Sequence, residues 1–311
     1  MLPAVIPGRL HGWTALACLA AVLAAGCAGR AAGGSGAGVA PLRAAAGPVA
    51  TIQNTGSDTL LNLALAWAER YMSDHPEVRI SVTGGGSGTG IASLINGTTQ
   101  IANASREMSE EELAEARKNG ITPVRFTVAL DAIAVVANPG NPVSGLTLQQ
   151  LSDLYTGKLT RWTDVGGASW PVVLLSRESN SGTYVYFLEQ VVRLGDSKSR
   201  ALFSPETLLM PSSQGISSEV QQNPNAIGYD GLGYVTSEQK TIGVARTPAG
   251  PFVTPSARSV LDKSYPIARP LFMYTAGEPA GAVKAYLDWV LGDGQKLVTE
   301  VGFVPLSGGG K

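Results

Sequence analysis

Arg177 is followed within a few residues by Ser181, Gly182 and Thr183, in the run Ser176-Arg177-Glu178-Ser179-Asn180-Ser181-Gly182-Thr183. A guanidinium offers planar, paired donors that match a tetrahedral oxyanion. The two hydroxyls add donors, and the glycine between them lets backbone come close to a ligand. Three other runs share this grammar: Gly56-Ser57-Asp58-Thr59, Gly86-Ser87-Gly88-Thr89-Gly90 and Ala104-Ser105-Arg106-Glu107. Each places small hydroxyl or charged residues between a strand candidate and a helix start. One such run alone reads as a helix cap, because Ser, Thr and Asp satisfy the orphan N–H groups of a first turn. Four in one chain, two of them carrying arginine, point to an anion held at helix N-termini.

The elements that must position these runs can be read from periodicity. Strands are expected at residues 50–54, 78–83, 101–104, 126–130, 133–137, 172–175 and 226–229, with Asp131 interrupting the fourth and fifth. Residues 58–72 have helical spacing, with Leu60, Leu63, Trp67 and Tyr71 on one stripe and Leu61, Leu65 and Met72 beside it. That helix is expected to be buried over more than half its circumference. Ser109-Glu110-Glu111-Glu112 is a capping box for a helix that ends at Gly120. Further helices are expected at 91–96, 148–156, 183–194, 212–222, 281–291 and 295–301. Alternating strands and helices imply an α/β fold with a doubly wound, mostly parallel sheet. Ligands of such sheets lie off the carboxyl ends of the strands, so all four runs are expected to meet at one crevice.

Spacing removes several chemistries. The stretch Gly84-Gly85-Gly86-Ser87-Gly88-Thr89-Gly90 does not complete G-x-G-x-x-G, lacks the G-K-[ST] ending of a nucleotide P-loop, and fails the nucleophile-elbow pattern G-x-S-x-G. Ser237-Glu238-Gln239-Lys240 matches S-x-x-K by letters only, in a polar stretch without the accompanying elements. The chain has two cysteines, Cys18 and Cys27, and two histidines, His11 and His75. His75 precedes Pro76 at the end of a helix, where a cation near the C-terminus is favourable. With His75 assigned to that helix end, the folded part has no other histidine for a Ser–His relay or a multi-histidine metal site. No long basic run supports nucleic-acid binding.

Residues 1–26 have the form of a secretory leader: Arg9, an apolar run over 13–25, and small residues before Cys27. The match Leu23-Ala24-Ala25-Gly26-Cys27 is similar to a bacterial lipoprotein signal, in which that cysteine becomes lipidated. Residues 28–48 are rich in Ala and Gly, with Arg30 and Arg43 as their charges, and read as a flexible tether. Its reach is about 25 Å. Removing the leader takes away one basic residue, Arg9, and leaves 22 basic against 24 acidic side chains.

The four runs, taken with Asn223-Pro224-Asn225-Ala226-Ile227-Gly228-Tyr229, Arg269-Pro270-Leu271 and Gly302-Phe303-Val304-Pro305, resemble the phosphate-binding proteins of bacterial ABC importers. The resemblance covers residues 49–306. It implies the two-lobed fold of periplasmic binding proteins, each lobe a doubly wound, mostly parallel sheet flanked by helices, with two crossovers at the hinge. Lobe I would comprise residues 49–130 and 246–311, and lobe II residues 131–245. Carried over by position, Ser57, Asp58 and Thr59 would line the first turn and Ser87 the second. Ser105 and Arg106 would form the third contact, and Arg177, Ser181, Gly182 and Thr183 the fourth. Some relatives carry an aspartate where this chain has Arg106, and that acid accepts the proton of hydrogen phosphate. Here Asp131 or Asp58 would take that role, with Arg106 pairing to Asp131 or meeting the ligand directly. The implied partners are inorganic phosphate and the membrane-embedded permease subunits of an importer. The protein would act as a monomer outside the cytoplasmic membrane, anchored through Cys27, without catalysis and without a cofactor. The competing readings are another oxyanion, such as sulfate, molybdate or arsenate, and a serine-dependent hydrolase.

Overall fold

One 14-residue strand ties two α/β halves together. The structure is a computed structural model and describes residues 49–306. The expected leader, the lipidated Cys27 and the tether lie outside the described residues. No helix among the described residues is long and apolar enough to cross a membrane.

The chain begins with β1 (Ala50–Gly56), α1 (Asp58–Asp74), β2 (Val78–Thr83), α2 (Ser87–Ile95), β3 (Ile101–Ala104) and α3 (Glu110–Lys118). β1 pairs in parallel with β2 on one side and β3 on the other. α1 buries Leu60, Leu63, Trp67 and Tyr71 against this sheet, and the Trp67 indole donates to Gly294 O at 2.7 Å. The buried face is narrower than the spacing suggests: Leu65 is exposed and Leu61 and Met72 only half-buried. The capping box of α3 forms as expected, with Ser109 Oγ accepting from Glu112 N and the Glu112 carboxylate accepting from Ser109 N.

β4 (Val124–Ala137) follows, then β5 (Gly145–Thr147), α4 (Leu148–Tyr155), β6 (Val173–Arg177), α5 (Gly182–Phe187), β7 (Leu208–Met210), α6 (Ser213–Gln222), β8 (Ala226–Gly231) and β9 (Lys240–Ala245). α7 (Ala257–Leu261), β10 (Ala268–Thr275), α8 (Gly281–Leu291) and α9 (Gln295–Glu300) complete it. The main path through the sheet is β2-β1-β3-β10-β4-β8-β6-β7. β6 is parallel to both β8 and β7, while β10 runs antiparallel between β3 and β4. The first part of β4 pairs with β10 and its last five residues pair with β8.

Two strands were expected where β4 is continuous. Asp131 does not break it, because Arg269 sits opposite in the β10 register and its guanidinium meets the carboxylate. A buried charge with a partner of opposite sign can remain inside a strand. The helix expected at 183–194 ends early: α5 passes into a π-helical turn at Leu188–Val192. β10 went unread because Arg269 and Pro270 disrupt its apolar pattern.

Buried apolar residues form separate clusters. One gathers Ile52, Leu60, Trp67, Leu271, Tyr286 and Phe303; another gathers Leu151, Trp162, Phe187, Tyr229, Tyr265 and Ile267. Near the crossing, Leu130 and Val304 exchange backbone hydrogen bonds of 2.8 and 3.0 Å, docking the C-terminal stretch on β4.

Candidate anion site

Three helices begin at one place. Ser57 precedes α1, Gly86 precedes α2, and Ser181 precedes α5. Gly86 N donates to Gly56 O at 3.0 Å, and Gly88 N donates to Asn180 O at 3.0 Å. The second bond joins the turn after β2 to the loop after β6. Asn180 Nδ2 returns a bond of 2.9 Å to Gly85 O. Gly86 has φ of 92° and its α-carbon faces the Asn180 carbonyl, so this turn needs the residue without a Cβ.

The hydroxyls converge as the four runs predict. Thr59 Oγ1 and Thr183 Oγ1 lie 2.8 Å apart. Ser87 Oγ lies 3.2 Å from Ser105 Oγ and accepts from Ser105 N at 3.0 Å. Gly182 sits against both serines: an added Cβ would come within 2.6 Å of Ser105 Oγ and closer still to Ser87 Oγ. Ser181 caps α5 by accepting from Thr183 N. Ser57, Thr59, Ser87, Ser105, Ser181 and Thr183 are all buried.

Arg177, at the carboxyl end of β6, is 1% exposed. Its Nη2 donates to Asp58 Oδ2 at 2.8 Å and to Pro211 O at 3.2 Å, its Nη1 to Ser213 Oγ at 2.8 Å, and its Nε to Met210 O at 3.3 Å. Asp58 also accepts from Gly85 N at 3.0 Å, which ties the first turn to the glycine turn.

The second buried guanidinium of the cluster is Arg269, which no run of hydroxyls announced. It donates through Nε and Nη2 to Asp131 Oδ2, through Nη1 to Ser105 O at 2.9 Å, and through Nη2 to Thr183 Oγ1 at 2.9 Å. The signal available in sequence was the run Arg269-Pro270-Leu271, which named a landmark and no role. Arg106 does not pair with Asp131, one of the two positions expected for it. Its guanidinium forms a two-pronged pair with Glu112 at 2.6 and 2.7 Å, and Asp131 belongs to Arg269. Arg106, Ser105 and Arg269 also line a cavity of about 530 Å³ with Tyr186, Glu189 and Gln190, next to the buried cluster.

Three acids surround the cluster. Asp58 is paired with Arg177 and Asp131 with Arg269. Burial pushes the Asp131 carboxyl up, and Arg269 and the Leu232 N–H oppose that. The third, Asp230 on β8, is pushed up to about 6 by burial, against the pull of Arg177.

Residues 42–294 match the model of the PBP superfamily domain. The chain is 35% identical over 280 residues to the phosphate-binding protein PstS of Pseudomonas aeruginosa, covering 84% of this chain and 85% of that one. The chain belongs to the PstS family of phosphate-binding proteins. The PstS protein of Bacillus subtilis is 31% identical, with 81% of this chain and 80% of that one covered. The solved structure of a phosphate ABC transporter substrate-binding protein from Clostridium perfringens, with bound phosphate, superposes with a TM-score of 0.74 at 31% identity. It covers 83% of this chain and 100% of that one. The PstS family resemblance expected from the four runs is thereby established, and with it the two-lobed α/β fold.

Proposed function

We propose that this protein binds one inorganic phosphate at the buried cluster and delivers it to an ABC-type importer. The observation that carries the reading is the meeting of two buried guanidiniums, Arg177 and Arg269, with six buried hydroxyls, five at three helix N-termini and the sixth, Ser105, just after β3. A dehydrated dianion is costly to bury unless its oxygens are hydrogen-bonded. Each charge-assisted bond contributes about 1.5–3 kcal/mol net. Micromolar affinity needs about 8 kcal/mol, so desolvation and ordering consume much of the gross gain. The names of the relatives, phosphate-binding proteins and a phosphate transport receptor of Vibrio cholerae at 29% identity, support the same ligand.

Ser57, Thr59, Ser87, Ser105, Arg177, Ser181, Gly182, Thr183 and Arg269 are the contacts we assign to the anion, with Asp58 and Asp131 as countercharges. The Thr59–Thr183 and Gly182–serine contacts join segments of different halves. Phosphate would enter as the halves part about β4 and β10, and its oxygens would then replace the hydroxyl-to-hydroxyl bonds. The clusters of buried residues support lobe I as residues 49–130 with 268–306, and lobe II as residues 131–267. Residues 246–267 thus move from the first lobe to the second, since Val260, Tyr265 and Ile267 pack in the second core. Ser87 and Ser105 bond to one another, an arrangement that supports holding an anion over activating a nucleophile.

Calorimetric titration of the purified full chain with phosphate, sulfate, molybdate and arsenate tests the ligand. Phosphate binding at least tenfold tighter than sulfate is the expected result, and preference for sulfate or molybdate would overturn it. The lipid anchor and the extracytoplasmic location rest on the leader and Cys27. Cys27→Ala is expected to move the protein from the membrane fraction to the soluble one.

A further inference from the structure

The buried acids and bases around the cluster do not balance. Two guanidiniums, Arg177 and Arg269, each hold one carboxylate, Asp58 and Asp131. Asp230 is 1% exposed and forms no ion pair among the described residues. Its Oδ1 accepts from the next residue, Gly231 N, at 2.8 Å, and its Oδ2 is buried without a hydrogen-bond partner. The charges that reach it are Arg177 from β6, which attracts, and Asp131 from β4, which repels. α6 presents the Ser213 hydroxyl, which accepts from Arg177 and keeps its own O–H for Asp230, pulling that carboxyl down; its one charged residue, Glu219, lies toward the other end of that helix. Tyr234, in the turn after β8, donates to Asp58 O and shares the surroundings of both acids. The next residue on the strand, Gly231, packs against Thr59 and Asp131.

We propose that Asp230 takes up a proton when the anion binds, so that this protein's oxyanion binding is coupled to protonation of a carboxyl the anion does not displace from its place on β8. The reasoning is electrostatic. An entering dianion draws on Arg177, the cation that offsets the Asp230 charge, and adds like charge beside a buried carboxylate. Neutralising Asp230 relieves both. The carboxyl already sits at about 6, within reach of such a change. The proton comes from solvent, and no bond to phosphorus is made or broken. This inference rests on the anion reading given above.

The test is calorimetry of the full chain with inorganic phosphate at a pH of about 8, in buffers of different ionisation heat, for the wild type and Asp230→Asn. About half to one proton taken up per phosphate by the wild type, and none by the variant, is the expected result. Equal uptake by both proteins, or none by either, overturns the inference and leaves phosphate binding standing. Absence of binding heat in the wild type removes the anion reading and this inference together. Carbon NMR of the wild type labelled at aspartate carboxyls keeps the test independent of the variant's folding. One buried carboxyl should pass to its neutral shift on phosphate addition, and none moving overturns the inference.

Discussion

Arg177 and Asp58 form an ion pair of 2.8 Å between residues 119 apart in sequence, with the guanidinium 1% exposed and the carboxylate 12%. The pair joins the end of β6 to the start of α1, and so links the two halves at the site. Asp58 gains the Gly85 N–H as a second donor. Phosphate bound here would compete with Asp58 for the same Nη2 atom.

Arg177→Ala is therefore expected to weaken phosphate binding by roughly 2–5 kcal/mol, the range for truncating one member of a buried charge pair. Calorimetry checks this. Affinity within twofold of the wild type would remove Arg177 from the site.

Gly182→Ala tests the close approach of α5 to the two serines. The methyl would press on Ser105 and Ser87. Overpacking of this kind costs about 1–3 kcal/mol. Because the contact joins the two halves, the cost should appear as a roughly ten- to hundredfold loss of phosphate affinity, with little change in helix content by circular dichroism.

Asp131→Asn is expected to act on stability first. The amide keeps an acceptor for Leu232 N but leaves the Arg269 charge buried and unpaired. Breaking a buried pair in this way costs about 3–5 kcal/mol. Urea denaturation of the variant should show a loss of that order. A variant as stable as the wild type would mean that Arg269 finds another partner.

Asp230 gives a pH prediction with the opposite sign. Its carboxyl rises from 3.8 to about 6 on folding. The folded state binds this proton more tightly than the unfolded one, so the stabilising contribution is full below about pH 4 and is lost as pH rises through about 6. The shift corresponds to a cost of about 3 kcal/mol at neutral pH. Asp230→Asn should thus raise the melting temperature by roughly 5 °C at pH near 7.5, and the gain should fade toward pH 4. A variant no more stable than the wild type at pH near 7.5 would sink this account.

Much of the site was legible because helix starts write themselves locally. Ser57, Ser87 and Ser181 stand where chain direction changes from strand to helix, and small hydroxyl residues with neighbouring glycines mark such places whatever the tertiary fold. The capping box of Ser109 and Glu112 was readable for the same reason. Arg269 and Asp230 were not, because each lies inside a strand. Their meaning comes from the neighbouring strand or loop, through a pairing partner far away in sequence.

The roles of the charged residues divide along the same line. The sequence by itself determined the α/β class, the glycine turn before α2, and the set of hydroxyls and arginines suited to one small oxyanion. Residue type and short-range spacing encode all of these. Only the tertiary structure decided which acid belongs to which base. Arg106 turned to Glu112, Arg269 took Asp131, Arg177 took Asp58, and Asp230 was left with one buried oxygen unpartnered. The energy of a buried charge depends on its burial and on neighbours that long-range strand pairing brings within a few ångströms, and no spacing along the chain carries that information.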